Sequence, residues 1–234
     1  MQVKIVFFGG LRYQAGCREH CLSVAGAQTL AASALLELVA AQFPALAQNL
    51  GKVALSVGPE IVGRDYLVQD GDEVCLLPPV SGGSGAHRPS EAHLSEAPLD
   101  LLALLAQTDD AHCGGLVVFS GDIRDHNLGR RVVAITYEAH EPIAAGVLAA
   151  IEQEVLTRFA TRRCRIQHRI GRVEVGQSSV LVVVRAAHRA AAFEGARYAI
   201  DELKERTPIW KQEHYEEGDS QFLDGVPMRE GPKP

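Results

Sequence analysis

The sequence predicts an α+β protein made of two domains joined by a linker, and three observations support this. Residues 1–83 show the order strand, strand, helix, strand, strand, which fits a small mixed sheet crossed by one helix. Residues 98–234 alternate strand-like and helical patterns, as an α/β sandwich with a largely antiparallel sheet does. Residues 84–97 carry Gly, Ser and Pro without a hydrophobic period and therefore predict a linker.

Apolar runs and one helical stripe define the first domain. A helix is predicted over residues 30–43, with Thr29 as its N-cap and Pro44 as its stop. Asp70-Gly71-Asp72 predicts a turn into the last strand. The predicted strands cover residues 3–8, 20–24, 53–57 and 73–77.

The second domain alternates valine-rich strands with two long helices. The predicted helices cover residues 99–106, 143–160 and 190–206, and the predicted strands 114–119, 132–138, 165–168 and 180–185. Residues 120–127 are polar and predict a loop. For the last helix, the spacing predicts an inner face made of Phe193, Ala196, Ile200 and Leu203.

Composition excludes several classes of function. A net charge of −6 argues against a general nucleic-acid binder. The chain has 5 cysteines and no Cys-x-x-Cys pair, so it predicts a reducing cytoplasm rather than a disulfide framework or a zinc knuckle. No apolar stretch is long enough to cross a membrane, and we expect no membrane partner.

A glycine pair ends the first domain. Pro78 and Pro79 stiffen the exit from the last strand, and Gly82-Gly83 follows as a tail without side chains. Such a tail fits a narrow slot that any Cβ would block. A flexible hinge between two domains is the alternative interpretation of the same two glycines.

The element order and the glycine pair together resemble the ubiquitin-like β-grasp sulfur carriers. Residues 70–74, Asp-Gly-Asp-Glu-Val, and residues 78–83, Pro-Pro-Val-Ser-Gly-Gly, are similar to the small subunit of molybdopterin synthase. This resemblance implies a terminal glycine that a partner enzyme adenylates and then converts to a thiocarboxylate, the sulfur donor.

Polar clusters mark the second domain. Residues 121–127 form one, and Ala187-His188-Arg189, at a predicted helix start, fits an anion-binding turn. Lys204 and Lys211 flank Pro208, which prevents one helix from carrying both. Each cluster is also compatible with an ordinary solvated turn or face. For the arginine-rich stretch 158–172 we favour an exposed face over a site that recognises an acidic partner.

Four separated motifs in this domain resemble the large subunit of molybdopterin synthase. They occur in the family's order, so the chain resembles both subunits fused head to tail. The motifs cover residues 119–129, 168–171, 187–194 and 203–213.

The resemblance implies a substrate, partners and roles for individual residues. The substrate is cyclic pyranopterin monophosphate, which receives two sulfurs to form the dithiolene of molybdopterin. Lys204, Lys211 and the Gly83 thiocarboxylate are expected to be catalytic, with Lys204 as the essential lysine. The chemistry requires no metal or other cofactor, and a homodimer through the second domain is expected. The implied substrate-binding set is Asp122, Ile123, Arg124, His188, Arg189, Lys204, Lys211, Gln212 and Glu213.

The tail departs from the family pattern in one respect. Gly83 is in a peptide bond to Ser84, so the intact chain has no carboxylate at this position. Cleavage after Gly83 is therefore predicted, before the adenylating enzyme acts on the tail. The alternatives are an uncleaved storage form that occupies its own pocket, and a sulfur carrier that serves another pathway.

Overall fold

A computed structural model describes residues 1–26, 28–79 and 93–222. These residues form two compact units, one within residues 1–79 and the other within residues 93–222. The Gly82-Gly83 tail and most of the predicted linker lie outside the described residues. Within the described ranges, no helix is long and apolar enough to span a membrane.

The first unit is a five-stranded mixed sheet with one main helix. The elements are β1 (Gln2–Phe7), α1 (Gly10–Ala15), β2 (Glu19–Ser23), β3 (Thr29–Ala31), α2 (Ala32–Gln42), β4 (Ala54–Val57), β5 (Glu60–Val62), β6 (Leu67–Gln69) and β7 (Glu73–Leu77). The main sheet has the order β2-β1-β7-β4-β5, in which β1 and β7 are parallel and the other pairs are antiparallel. This is the predicted β-grasp arrangement.

The core of this unit lies between α2 and the sheet. Leu35 of α2 and Ile5 and Phe7 of β1 are completely buried in one cluster. Truncating such a buried leucine to alanine typically costs about 2–5 kcal/mol. The prediction of Thr29 as helix N-cap is wrong, because residues 29–31 pair with β6 and α2 begins only at Ala32.

The second unit contains twelve elements within residues 93–222. They are β8 (Leu94–Ser95), α3 (Leu101–Gln107), β9 (Gly115–Asp122), β10 (His126–Asn127), β11 (Arg130–Ala139), α4 (Glu141–Arg158), β12 (Thr161–Arg169), β13 (Gly171–Glu174), β14 (Ser178–Ala186), α5 (Arg189–Arg206), β15 (Ile209–Tyr215) and β16 (Ser220–Phe222).

These strands form two sheets, and the long helices cover one of them. The first sheet has the order β8-β12-β14-β9; α4 and α5 pack against each other and against it. The second sheet has the order β10-β11-β15-β16, with β13 also paired to β11. Apart from the parallel pair β8–β12, the described ladders of this unit are antiparallel, which confirms the predicted class.

Three parts of this unit differ from the sequence-based expectation. Ser120–Asp122, predicted as loop, continue β9 because they pair with β14. Leu94 and Ser95, placed in the linker by sequence, pair with β12. Strands β10, β13, β15 and β16 were not predicted, and β10 lies within the predicted loop because it pairs with β11.

The predicted inner face of α5 is wrong at Phe193, which is 63% exposed. Ala192, Gly195 and Ala199 face the sheet instead. A Cβ at Gly195 would approach side-chain atoms of Thr161 and Val155 to 3.0 Å, so the helix lies close to its neighbours. Small residues allow this close approach, whereas a phenyl ring would hold the helix away.

Candidate active site

Lys211 and Glu213 lie on the same face of β15, because side chains two residues apart on a strand point the same way. The Lys211 Nζ atom is 3.8 Å from Glu213 Oε1, and the lysine side chain is 46% exposed. Glu213 is only 3% exposed. A buried carboxylate therefore lies within ion-pair distance of the ammonium group of an accessible lysine.

Two neighbours fix the Glu213 carboxylate. Asn127 Nδ2 donates to Glu213 Oε2 at 2.8 Å, and the Tyr215 hydroxyl donates to the same oxygen at 3.0 Å. Burial and this hydrogen bond raise the pKa of Tyr215, so its phenol stays a donor. The guanidinium of Arg130 stacks 3.6 Å from the Tyr215 ring centroid. Glu213 is thus fixed beside Lys211 and away from the accessible surface.

Gln212 and Ile123, both in the predicted substrate-binding set, have buried side chains. Gln212 is 6% exposed, and its Nε2 donates to Ser220 Oγ at 2.7 Å on the opposite face of β15 from Lys211. Ile123 is 4% exposed and packs with Val132 and Tyr215. Both side chains help to build the frame of the second sheet.

Lys204 is exposed on the last turn of α5. The helix ends at Arg206 because Thr207 takes up extended backbone dihedral angles and Pro208 follows. The chain then enters β15, which carries Lys211. Lys204 and Lys211 consequently lie on α5 and β15, on either side of the short connection at residues 207–208.

Asp122 and Arg124 lie at the end of β9. The Asp122 carboxylate accepts hydrogen bonds from Ser120 Oγ at 2.5 Å and from Ser178 Oγ at 2.8 Å, which lower its pKa. Arg124 is exposed, two residues beyond the strand. Its backbone neighbour Ile123 is held by the turn that precedes β14.

Tyr137 connects this end of β9 to the strand that carries Lys211. Tyr137 lies opposite Lys211 in the β11–β15 ladder. Its side chain is hydrogen-bonded to Ser179, and the Ser179 hydroxyl donates to the Gly121 carbonyl at 2.9 Å. Its ring packs edge-on against His168, with 5.0 Å between centroids. Lys211 and Arg124 therefore lie toward the same end of the first sheet.

Lys204 lies toward this end as well. The helix α5 starts beside Gly115, where β9 begins, since a Cβ on Gly115 would be 3.0 Å from Arg189 N. It then packs along β9 and β14 toward the end of β9. The cations of Arg124, Lys204 and Lys211 therefore belong to one end of the unit.

His188 and Arg189 are at the opposite end. They directly follow β14 and begin α5, where both side chains are exposed. Fifteen residues of α-helix separate Arg189 from Lys204, which corresponds to about 22 Å of rise. The structure does not bring His188 and Arg189 to the other site residues within one chain.

Most other arginines of this unit form ion pairs with carboxylates, whereas three of the site cations do not. Arg162 and Arg163 pair with Asp110, Arg165 with Glu152 and Arg172 with Glu174. The arginine-rich stretch is thus largely neutralised within the fold. The predicted exposed face is found at Arg162, Arg163 and Arg172, but the prediction is wrong at Arg169, which is buried. In contrast, Arg124, Arg189 and Lys204 form no ion pair with any carboxylate in the described part of the chain. Exposed cations without a partner are available to an anionic ligand.

The fold and the site define a class: a β-grasp carrier domain followed by an enzyme domain with accessible cations. Comparison with known proteins identifies the family. Residues 5–83 match the ThiS family, and residues 94–206 match the MoaE protein family. The chain is 44% identical over 128 residues to the molybdopterin synthase catalytic subunit of Nostoc sp., which covers 54% of this chain and 78% of that protein. It is 40% identical over 132 residues to the Pyrococcus abyssi catalytic subunit, covering 56% and 84%.

A solved structure agrees with this. The crystal structure of molybdopterin synthase from Staphylococcus aureus superposes with a TM-score of 0.54 at 31% identity, covering 58% of this chain and 98% of that one. This chain belongs to the molybdopterin synthase family, with the small and large subunits fused in one polypeptide. It is an enzyme of that family.

Proposed function

We propose that the chain is a sulfurtransferase that makes molybdopterin in molybdenum cofactor biosynthesis. Sulfur passes from a thiocarboxylate on Gly83 to cyclic pyranopterin monophosphate, and two such transfers form the dithiolene. The observation that supports this best is the set of exposed cations, Arg124, Lys204 and Lys211, toward one end of the second unit. An anionic phosphate ester and an anionic thiocarboxylate both require fixed positive charge.

Each cation has a chemical role in this proposal. Arg124 offers a planar fork that binds phosphate oxygens through two hydrogen bonds. Lys204 transfers a proton, or attacks the Gly83 acyl carbon once the sulfur has bonded to the pterin, so that the acyl C–S bond breaks and the sulfur stays on the pterin. Both roles require an amine that can lose its proton. Lys211, held by Glu213, orients the substrate or the incoming tail.

His188 and Arg189 enter the site from a second copy of the chain. Within one chain they lie about 22 Å along α5 from Lys204, yet they carry the anion-binding pattern at a helix start. A homodimer through the second unit would place them against the partner's Arg124 and Lys204. The site is then shared between two chains.

The tail becomes a sulfur donor after cleavage. A cut after Gly83 creates the carboxylate that an adenylating enzyme in the cytoplasm activates and sulfurates. The alternatives, a storage form and a carrier for another pathway, are not favoured, because the family match extends over both domains and the site residues are present.

The test is reconstitution with mixed chains. Purified chain supplied with thiocarboxylated residues 1–83 and cyclic pyranopterin monophosphate should form molybdopterin in a single turnover. Lys204→Ala and Arg189→Ala chains should each be nearly inactive, and mixing them should restore activity, because a mixed dimer holds one intact site. Failure of the wild-type chain would reject the function; failure of the mixture alone would reject the shared site.

A further inference from the structure

Arg169 is a buried cation for which the proposed chemistry has no role. It lies at the end of β12 and is only 7% exposed. Its neighbours Arg165 and Arg172 each pair with a glutamate. Arg169 has no carboxylate within ion-pair distance among the described residues. Burial of a charge without an ion-pair partner is costly, so its retention requires an explanation.

The hydrogen bonds of the Arg169 guanidinium go to one short segment, residues 172–177. Its Nη1 donates to Gln177 Oε1 at 2.8 Å, and its Nη2 lies 3.5 Å from the Arg172 carbonyl oxygen. The backbone N–H of Glu174 donates to the same Gln177 oxygen at 3.3 Å. Arg169 therefore ties the side chain of Gln177 to the backbone of the turn at residues 174–177.

That turn holds the peptide next to Arg124. The Ile123 N–H donates to the Gln177 carbonyl at 3.0 Å, and the Gly176 N–H donates to the Ile123 carbonyl at 2.8 Å. Gly176 has a φ of 81°, a conformation that favours glycine. The N–H and the carbonyl of Ile123 are both hydrogen-bonded to this turn, so the backbone position of the next residue, Arg124, is fixed as well.

We propose that Arg169 is a positioning residue for the reaction, acting through the 174–177 turn to aim Arg124 at the anionic substrate. This rests on the proposed function, in which Arg124 binds substrate. The planar guanidinium suits the task because it donates in two directions from a rigid frame. A lysine at this position would provide one compact charge and no such frame.

The first measurement concerns the turn alone and requires no substrate. Gln177 is exposed, so Gln177→Met removes the acceptor of Arg169 without opening a cavity in the core, and the loss of stability should be that of one hydrogen bond to a buried guanidinium. In the full chain, amide hydrogen exchange at Ile123 and Gly176 should become faster in both Gln177→Met and Arg169→Met. Arg163→Met, which removes an exposed arginine of the same strand that pairs with Asp110 and not with the turn, should leave these two amides unchanged. Unchanged exchange at Ile123 in Gln177→Met would overturn the proposal.

The second measurement joins the turn to catalysis. Gln177→Met should raise KM for the pterin by roughly 10- to 100-fold, as a small misplacement of a binding group does, with a smaller change in kcat. In an Arg124→Ala background the same change should have no further effect, because residues that act through one another are not additive. An effect that persists in full in the Arg124→Ala background shows a general structural role and overturns the proposal.

Failure of the proposed function gives a different result. If Arg124→Ala itself leaves KM unchanged, Arg124 is not a substrate-binding residue, and both the anion site and the positioning role are rejected. If Arg124→Ala raises KM while Gln177→Met does not, the site stands and only the role of Arg169 is rejected.

Discussion

The ammonium group of Lys211 lies 3.8 Å from the buried carboxylate of Glu213, which two further side chains hold in place. Glu213→Ala would leave the Asn127 amide and the Tyr215 hydroxyl without their acceptor. An unsatisfied buried group costs about 1–3 kcal/mol. We therefore expect Glu213→Ala to destabilise the second unit and to lower activity together.

Glu213→Gln separates the two effects, since it keeps the volume and one acceptor oxygen. Its stability should fall less than that of Glu213→Ala, while turnover should still fall because Lys211 loses its charged partner. Unfolding can be followed by fluorescence of Trp210, the single tryptophan, which is 7% exposed. Glu216→Gln, at an exposed carboxylate, is the matched control. Normal turnover by Glu213→Gln would show that this carboxylate has only a structural role.

Lys204→Ala should reduce single-turnover conversion by roughly 10²–10⁴, the contribution of a catalytic proton carrier. Its stability should change within about 0.5 kcal/mol, because the side chain is exposed. Lys204→Arg should not restore the rate, since a guanidinium stays protonated. Arg197→Ala, an exposed cation on the same helix, is the control. Full turnover by Lys204→Ala would leave Lys211 as the candidate.

Arg124→Ala and Arg189→Ala should both weaken pterin binding, each by about 1.5–3 kcal/mol for one charge-assisted hydrogen bond. The fold should be retained, because both side chains are exposed. Binding can be measured by calorimetry at two salt concentrations, and the wild-type affinity should fall as salt rises. Unchanged affinity in both variants would return these residues to the ordinary protein surface.

His168 makes the second unit sensitive to acid. Burial lowers its pKa to about 4, from the ordinary histidine value of about 6.5. As pH falls below 6.5 the unfolded chain takes up a proton that the folded chain does not, so stability falls until about pH 4. The loss from this group approaches about 3 kcal/mol. His168→Asn keeps a donor toward the Arg169 carbonyl but has no group that titrates in this range. The loss of folding stability between pH 6.5 and pH 4, measured by Trp210 fluorescence, should therefore be smaller in this variant by about the same amount.

Cleavage after Gly83 is tested by mass spectrometry of the protein from its producing cells. We expect a fragment that ends at Gly83, part of it with sulfur in place of one carboxylate oxygen. If only intact chain is found in cells that make molybdopterin at the full rate, the cleavage hypothesis fails.

Element types were predictable where the hydrophobic pattern is strong. Strand β14 is a continuous apolar run, and helices α4 and α5 have long sequence patterns. The structure confirms all three as predicted. Thr29 was misassigned because a residue with good capping chemistry also pairs as a strand, and tertiary pairing overrides local preference. Phe193 was misplaced because hydrophobicity alone cannot show that α5 lies close to its sheet through alanine and glycine.

The site was predictable in composition but not in arrangement. Motif resemblance named Lys204, Lys211 and Arg124, and the structure carries them toward one end of the unit. Only the directions of β14 and α5 in the fold show that Arg189, at the start of α5, lies at the other end of the unit. The sequence did not single out Arg169, because it lies in a stretch of arginines that are mostly exposed, and its burial is visible only in the fold.

The pairing of β8 with β12 determines what a cut between the units leaves behind. Residues 94 and 95 add a parallel edge strand to the first sheet of the second unit, and the His93 carbonyl accepts the His168 N–H at 2.8 Å. The His93 ring, 3% exposed, lies 3.2 Å from Glu152. A cut after Gly83 falls before all of these contacts. The released enzyme unit therefore keeps its complete set of described strands.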